Sequence, residues 1–145
     1  MRAVEVRPIA SPDELLAAVA IRYAVFVQEQ GVPLHEEVDA RDPDAFHLVA
    51  WRGGEPVGTG RLVVEGDQGL IGRMAVLPGA RGQGVGAALL ERLLAEARRR
   101  GLRHVHLHAQ LHARGFYARF GFVASGPHFL DAGILHQRMD LELAP

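Results

Sequence analysis

Apolar and polar residues alternate in several short stretches of this chain, and between them apolar residues recur at helical spacing. The stretch AVEVRPI near the start alternates and predicts a first strand. A helix should follow, because Ser11 can cap it, Pro12 stands at the first helical position and Glu14 lies three residues after the cap. We expect Gly31 to end this helix.

The next segment, VPLHEEVDARDPD, is polar and interrupted by prolines, which predicts a loop. Three apolar stretches follow it: FHLVAWR, PVGTGRLVVE and LIGRMAVL. Gly53 and Gly54 separate the first two, and the sequence GDQG separates the last two. Short turns between consecutive strands predict an antiparallel meander.

The segment from Leu77 to Gly101 changes from a glycine-rich opening into a helix. The helical part places its apolar residues on one side, namely Leu89, Leu90, Leu93, Leu94 and Ala97. After Gly101, HVHLHA predicts a strand, QLHARGFYARF a short helix, and FVAS and ILHQRMDLEL two final strands joined by the loop GPHFLDAG. This order of elements predicts one α/β domain over residues 1–145, with a mixed sheet and helices on its faces.

The composition is that of a folded globular protein, with 48% hydrophobic residues and a formal net charge of −1. This charge, and the lack of arginines interleaved with aromatic residues, argue against nucleic-acid binding. No apolar run is long enough to cross a bilayer, and the N-terminal stretch lacks the apolar core of a signal peptide. We therefore expect no membrane contact and a cytoplasmic location.

Two missing residue types narrow the chemistry. The chain contains no cysteine, which excludes a cysteine nucleophile, disulfides and thiolate metal sites. It also contains no lysine, which excludes a phosphate-binding lysine and enzymes that form a Schiff base through lysine. Any catalysis must therefore rest on other side chains or on the backbone.

Gly82, Gly84 and Gly86 stand at the start of the second long helix. The first N–H groups of a helix lack internal partners and carry partial positive charge, so glycines here would let a pyrophosphate reach the backbone. The alternative explanation is a tight turn. The sequence GQGVGA also fits a dinucleotide-binding pattern, but it follows a fourth strand and the next strand ends without the acidic residue that such folds need.

The segment RGQGVG resembles the Q/R-x-x-G-x-G/A signature of the GNAT N-acetyltransferases. The later stretch GFYARFGF is similar to another helix of that family, with Tyr117 four residues before the pair Gly121 and Phe122. The stretches YAVFVQEQGVP, GRMAVLPGARGQG, HAQLHARGFYARFGF and FLDAGILHQRMDL resemble the ElaA-like branch. The resemblance implies a mixed, mostly antiparallel sheet flanked by helices and the use of acetyl-coenzyme A.

The resemblance also implies roles for particular residues. The strand residues Met74, Ala75 and Val76 should bind the pantetheine arm through their backbone. The pyrophosphate should lie against Arg81, Gly82, Gln83, Gly84, Val85 and Gly86. Gln110 stands where many relatives have an asparagine that contacts the coenzyme. Tyr117 would protonate the departing thiolate, although packing against Phe116 and Phe120 is an alternative explanation.

The general base is harder to assign. Many relatives use a glutamate on the strand before Gln110, and this place falls near His106 here. His104, His106 and His108 alternate and so point to one face of their strand, where imidazole could accept a proton. They could equally be packed or solvated polar residues. A zinc site is conceivable, but no acidic residue or cysteine stands beside them, so we expect no metal.

The acceptor is expected to be a primary amine on a small molecule or a peptide. Several acidic residues of the loop before the meander would favour a cationic amine if they line the cleft, or they form a solvated surface: Glu36, Glu37, Asp39, Asp42 and Asp44. Asp131 could border the cleft from the other side. The alternative to an enzyme is a domain that binds an acyl-coenzyme A as a sensor without catalysis. Edge strands near the C-terminus could pair between two copies, so a homodimer is among the partners that the sequence allows.

Overall fold

A seven-stranded sheet forms the centre of the protein in the computed structural model, which describes residues 3–37 and 40–144. The strands are β1 (Val4–Pro8), β2 (Phe46–Arg52), β3 (Glu55–Glu65), β4 (Gln68–Val76), β5 (His104–Gln110), β6 (Val123–Asp131) and β7 (Ile134–Glu142). Their order across the sheet is β1-β2-β3-β4-β5-β7-β6. Every neighbouring pair is antiparallel except β4 and β5, which are parallel. The predicted mixed sheet and its antiparallel meander are confirmed.

The helices are α1 (Pro12–Arg22), α2 (Leu34–Glu37), α3 (Val85–Arg99) and α4 (Arg114–Ala118). The N-terminus of α1 is built as predicted, because the Ser11 hydroxyl accepts a hydrogen bond from the Glu14 N–H at 3.3 Å. The Glu14 carboxylate in turn accepts from the Ala10 N–H at 2.8 Å. A π-helical segment, Tyr23–Glu29, then extends α1 almost to Gly31. Within the described residues, no helix is long and apolar enough to span a membrane.

The two faces of the sheet pack against different helices. On one face, Leu89, Leu90 and Leu93 of α3 are fully buried in the main core, against apolar residues that include Leu62 and Val105. On the other face, α1 buries a smaller cluster: Ala18, Ile21, Val25, Val49 and Ala75. Each fully buried leucine contributes about 1.5–3 kcal/mol, so the apolar side of α3 fixes this helix, and the loop before it, against the sheet.

The strand β6 is longer than the sequence predicts. The segment 126–133 was expected to be a loop, but β6 continues to Asp131 and only the turn before β7 is irregular. Pro127 is tolerated because β6 is the last strand of the sheet, where a missing N–H breaks no ladder bond on the open side. A register shift between Ser125 and Phe129 takes up the distortion.

The parallel pair β4 and β5 separates part-way along its length. Their residues pair only from Gln68 to Leu70 on β4, and the last pair joins Leu70 to His106. Beyond that point β4 is irregular, with a register shift against β3 and a left-handed backbone at Arg73 (φ 51°). The C-terminal halves of the two strands therefore diverge and leave a gap within the sheet.

Candidate active site

A cavity of about 490 Å³ occupies the gap between β4 and β5. Its walls also include the π-helical segment after α1, the residues just before α4 together with Tyr117, and Asp131 and His136 on β6 and β7. Six of the residues that the sequence assigned to coenzyme binding or catalysis line it: Met74, Ala75, Val76, Arg81, Gln110 and Tyr117. Segments that are far apart in sequence thus meet at one cavity, as the predicted site requires.

The N-terminus of α3 lies immediately after Arg81. Its N-cap is Gly84, and no side chain of the described residues caps it with a hydrogen bond. Gly82 and Gly84 both have left-handed backbones, with φ of 75° and 80°. A Cβ atom on either residue would meet nothing within 4 Å, so the backbone angle explains these glycines better than close contact does. The uncapped N–H groups and the helix dipole together would favour an anion at this end.

The rest of this loop contributes backbone more than side chain. Val85 is 1% exposed and its side chain belongs to the core, which leaves only its backbone for a ligand. Gly86 is inside the first turn, where an added Cβ would make ordinary contact with Phe116 at 3.5 Å. The side chain of Gln83 accepts from Arg52 and donates to the Gly79 carbonyl at 3.3 Å. None of the residues from Gly82 to Gly86 lines the cavity, so they form a separate rim next to it.

Arg81 is held by the protein itself. Its guanidinium donates two hydrogen bonds to Glu29, at 2.7 and 2.6 Å, and its Nε donates to the Val76 carbonyl at 2.9 Å. These hydrogen bonds lower the pKa of Glu29 and raise that of Arg81. The sequence predicts Arg81 as a phosphate ligand but gives no sign that Glu29, at the end of the π-helical segment, is its partner.

Gln110 meets the same helical region from the other side of the gap. Its Nε2 donates to Gln30 Oε1 at 2.9 Å, so the end of β5 is tied to the residue that follows the π-helical segment. With the pair between Glu29 and Arg81, this contact anchors that segment on both sides of the cavity. The amide of Gln110 lines the cavity where the sequence predicted a coenzyme contact.

Tyr117 lies on α4 and packs against aromatic rings while lining the cavity. Its ring makes edge-to-face contacts with Phe116 at 5.1 Å and Phe122 at 6.1 Å between centroids. Desolvation by this packing raises the pKa of Tyr117 to about 12. The phenol therefore keeps its proton throughout the neutral range. Tyr117 both packs against aromatic rings and lines the cavity, so the two explanations offered for it do not exclude each other.

The three alternating histidines of β5 share a face, as predicted, while Val105, Leu107 and Ala109 are buried on the other. His108 lines the cavity, whereas His106 does not. The reason is the sheet: β4 and β5 are still hydrogen-bonded at His106, and the gap opens only after it. The predicted base, His106, therefore lies two residues too early on β5 to face the cavity.

The environments of these histidines differ. Desolvation lowers the pKa of His106 and of His108. Desolvation also opposes the charge on His104, but hydrogen bonds to Glu142 at 2.5 Å and Asp140 at 2.7 Å outweigh it and raise the pKa of His104. Within residues 3–37 and 40–144, no cluster of three or more histidine or acidic side chains is arranged to hold a metal ion.

Only part of the acidic loop follows the two expectations, because two of its carboxylates form ion pairs with buried arginines. Arg22, only 1% exposed, donates to Glu37 at 2.6 Å and to Asp42 at 2.9 Å, and Arg61 also donates to Asp42 at 2.9 Å. Glu37 and Asp42 therefore belong to a buried ion-pair network that fixes the loop, and neither is a free charge of a solvated loop. Asp39 lies outside the described residues.

Asp44 is exposed and lines neither cavity, whereas Asp131 and Glu36 border cavities where an acceptor could bind. Asp131, at the end of β6, lines the cavity as the sequence suggested. Glu36 is exposed and borders a smaller cavity of about 120 Å³, which shares Asp131, Gln110 and His136 with the larger one. Sequence reasoning missed His136, which lies opposite Gln110 on β7. The only sequence feature that could have indicated His136 is that a histidine stands in the predicted final strand.

Comparison with known proteins agrees with this geometry. The family profile described as the acetyltransferase (GNAT) domain matches residues 11–143. The chain is 32% identical over 139 residues to the protein ElaA of Escherichia coli, covering 92% of this chain and 90% of ElaA. It is 38% identical over 128 residues to YjcF of Bacillus subtilis, an uncharacterized N-acetyltransferase, covering 88% and 91% of the two chains.

Solved structures of similar proteins have the same fold. The crystal structure of Escherichia coli ElaA superposes with a TM-score of 0.86 at 30% identity, over 95% of this chain and 99% of that one. An acyl-CoA N-acyltransferase from Pseudomonas aeruginosa superposes with a TM-score of 0.84 at 37% identity, over 97% and 99%. The similarity extends over almost the whole chain in both cases.

Proposed function

We propose that this protein moves an acetyl group from acetyl-coenzyme A to a primary amine. The premise is that the chain belongs to the GNAT acetyltransferase family and to its ElaA-like branch. Acyl transfer is the activity of the family. The acetyl group, the amine acceptor on a small molecule or peptide, and a cytoplasmic location are the finer parts of the proposal.

One observation carries the proposal: the uncapped N-terminus of α3 adjoins a cavity that splits the sheet. A diphosphate fits the N-terminus of α3, because backbone N–H groups and the helix dipole favour an anion there. A pantetheine arm fits the cavity. Beyond Leu70 the edge of β4 that faces β5 has no strand partner in the part of the chain that the structure describes, so backbone groups around Met74 and Ala75 can pair with the amides of such an arm.

The side chains around the cavity suit direct attack of an amine on a thioester. Acetyl-coenzyme A, when bound, supplies that thioester. A backbone N–H of β4 near Ala75 would stabilise the negative charge on the acetyl oxygen. Tyr117, which holds its proton at neutral pH, would donate it to the departing sulfur. The chain needs no covalent intermediate, in keeping with its lack of cysteine.

A histidine of β5 would take the proton from the acceptor. The sequence assigned this role to His106, and we now propose that His108 contacts the amine because His108 lines the cavity. Its lowered pKa leaves the imidazole neutral at pH 7 and ready to accept a proton. Asp131, on the same cavity wall, would attract a cationic amine.

Replacing Tyr117 by phenylalanine tests the proposal. Thiol release from acetyl-coenzyme A over a panel of amines should fall by about 10²- to 10⁴-fold in kcat, because the general acid is lost. The dissociation constant of the coenzyme, measured by calorimetry, should stay nearly the same. Tyr23→Phe is the matched control, since Tyr23 is the chain's other tyrosine and its side chain is 41% exposed.

Unchanged turnover in Tyr117→Phe would remove this residue from catalysis. Tight coenzyme binding by the unaltered protein without turnover of any amine would instead identify a non-catalytic acyl-coenzyme A sensor.

A further inference from the structure

We propose that His108 and His106, with Asp140 and His104 at the outer end, form a proton path that leads from the cavity along β5 to the protein surface. The inference rests on the proposed function, because the proton in question is the one that the acceptor amine must lose. A proton taken up by His108 while both substrates fill the cavity needs a route that does not pass through them. The structure offers one along the strand.

The spacing of His108 and His106 suits transfer through a single water molecule. Their ring centroids are 5.9 Å apart, and those of His106 and His104 are 6.3 Å apart. A water that bonds two groups at about 2.8 Å each spans up to about 5.6 Å between them, so one water could bridge nitrogen atoms of His108 and His106. Both ring nitrogens of His104 contact carboxylates, so the outward link from His106 is Asp140, which lies opposite His106 on β7 and pairs with His104 at 2.7 Å. The Nδ1 of His106 is buried and has no hydrogen-bond partner among the described residues. A bridging water would give it one.

The two ends of this row differ in a way that suits a path. At the inner end, His108 lines the cavity, and its ring is oriented by an edge-to-face contact with Phe129 at 5.3 Å. At the outer end, both ring nitrogens of His104 contact carboxylates, Asp140 at 2.7 Å and Glu142 at 2.5 Å. The side chain of Glu142 is 81% exposed, so the row ends in bulk water.

The environment of the row favours outward movement of the proton. Desolvation is the main factor that disfavours a charge on His106 and on His108, and Arg138 acts in the same direction on both. His108 also disfavours a charge on His106, and His136 on β7 disfavours one on His108. Asp131 on β6 favours a charge on His108 more than Arg138 opposes it, and Asp140 on β7 and Glu65 on β3 favour a charge on the row more weakly. The pKa is lowered at His106 and His108 and raised at His104, so the proton is held most tightly at the outer end.

The protons balance as follows. An acceptor ammonium carries one proton more than the attacking amine, and this proton goes to His108, then to His106, then to the Asp140 carboxylate beside His104, and finally to water. When the new C–N bond forms and the C–S bond breaks, the nitrogen loses a second proton, which restores Tyr117 after Tyr117 has protonated the sulfur. One proton is released in each turnover, and the row carries it.

His106→Gln interrupts the row at its middle without touching the cavity wall. We expect kcat at pH 7 in dilute buffer to fall about tenfold or more, with the KM of acetyl-coenzyme A unchanged. Added imidazole should restore much of the loss, because a diffusing base can replace the missing step. His35→Gln is the control, since His35 is exposed on α2 and stands outside the row.

A second measurement works on the protein without substrate. Titration of the histidine ring protons by NMR should give the highest pKa at His104, and Glu142→Gln should lower it. Wild-type kcat and no imidazole effect in His106→Gln would overturn the proposal, and so would a His104 that titrates below His106 and His108. Absence of acetyl transfer by the unaltered protein would count against the proposed function, whereas the NMR order would still test the row.

Discussion

The pKa of Glu96 depends strongly on the neighbouring arginines. Its side chain is 2% exposed on α3 and accepts hydrogen bonds from Arg99, from Arg100 at 2.9 Å and from Arg92 at 3.0 Å. These bonds, led by that of Arg99, lower the pKa of Glu96 from 4.5 to about 2. Arg92 and Arg100 also lie over the Phe46 ring, at 5.3 Å each, so the cluster fixes α3 to β2.

The lowered pKa predicts a pH-dependent contribution to stability. A group with a depressed pKa stabilises the fold above its unfolded pKa, and the benefit is lost as pH falls from about 4.5 toward 2. Glu96→Gln should lower the free energy of unfolding at pH 7 by about 1 kcal/mol, a figure reduced by the solvent around Arg99. The difference from the unaltered protein should disappear near pH 2 in urea unfolding curves.

Glu91→Gln is the matched control on the same helix, because Glu91 is exposed. Its effect should stay within about 0.5 kcal/mol at every pH. An equal effect of the two substitutions would show that the cluster around Glu96 does not contribute the expected stability.

For single residues, the sequence predicts which residues line the cavity better than it predicts their hydrogen-bond partners. Arg81, Gln110 and Tyr117 were assigned from local motifs, and all three line the cavity. The sequence does not predict that Glu29 holds Arg81, because 52 residues separate the pair and no local pattern records such a contact. The burial of Glu37 was missed for the same reason, since its partner Arg22 lies on another helix.

At the scale of elements, the start of α3 makes opposite predictions for two of its glycines. Gly84→Ala forces a left-handed backbone (φ 80°) on a residue with a Cβ and should cost about 1–2 kcal/mol of stability. It should also weaken coenzyme binding several-fold, because the N–H groups that follow it must shift. Gly86→Ala adds a methyl at ordinary contact distance inside a helix and should stabilise by up to about 1 kcal/mol.

Thermal unfolding and calorimetric titration of the two variants check this pair of predictions. Coenzyme affinity in Gly86→Ala should stay within about twofold of the original, because its Cβ would face Phe116 inside the protein. Equal changes of stability and of coenzyme affinity in the two variants would contradict the roles assigned to Gly84 and Gly86.

Most elements follow from the pattern of apolar positions. The strand β2 has the predicted bounds, and α3 has the predicted apolar side in the core. The extension of β6 and the π-helical end of α1 were not predictable in this way. An edge strand is largely exposed and shows weak alternation, and a π-helical segment leaves no distinct spacing over seven residues.

At the scale of the whole molecule, the candidate site depends on the division of one sheet. The predicted order of elements requires a mixed sheet, and the single parallel pair among the described strands lies where β4 and β5 part. That division creates the cavity and turns the free edge of β4 toward it, while α3 brings its N-terminus to the cavity rim. The sequence suggests these pieces separately, but only the packing of α3 and α1 on opposite faces brings them together.

The most direct test of this account is an NMR titration of the backbone amides with coenzyme A, compared with pantetheine, which lacks the diphosphate. The account predicts large amide shifts from Gly82 to Gly86 with coenzyme A and none with pantetheine, while amides of β4 near Ala75 respond to both. Binding of coenzyme A with the Gly82–Gly86 amides unmoved, or no binding at all, would contradict it.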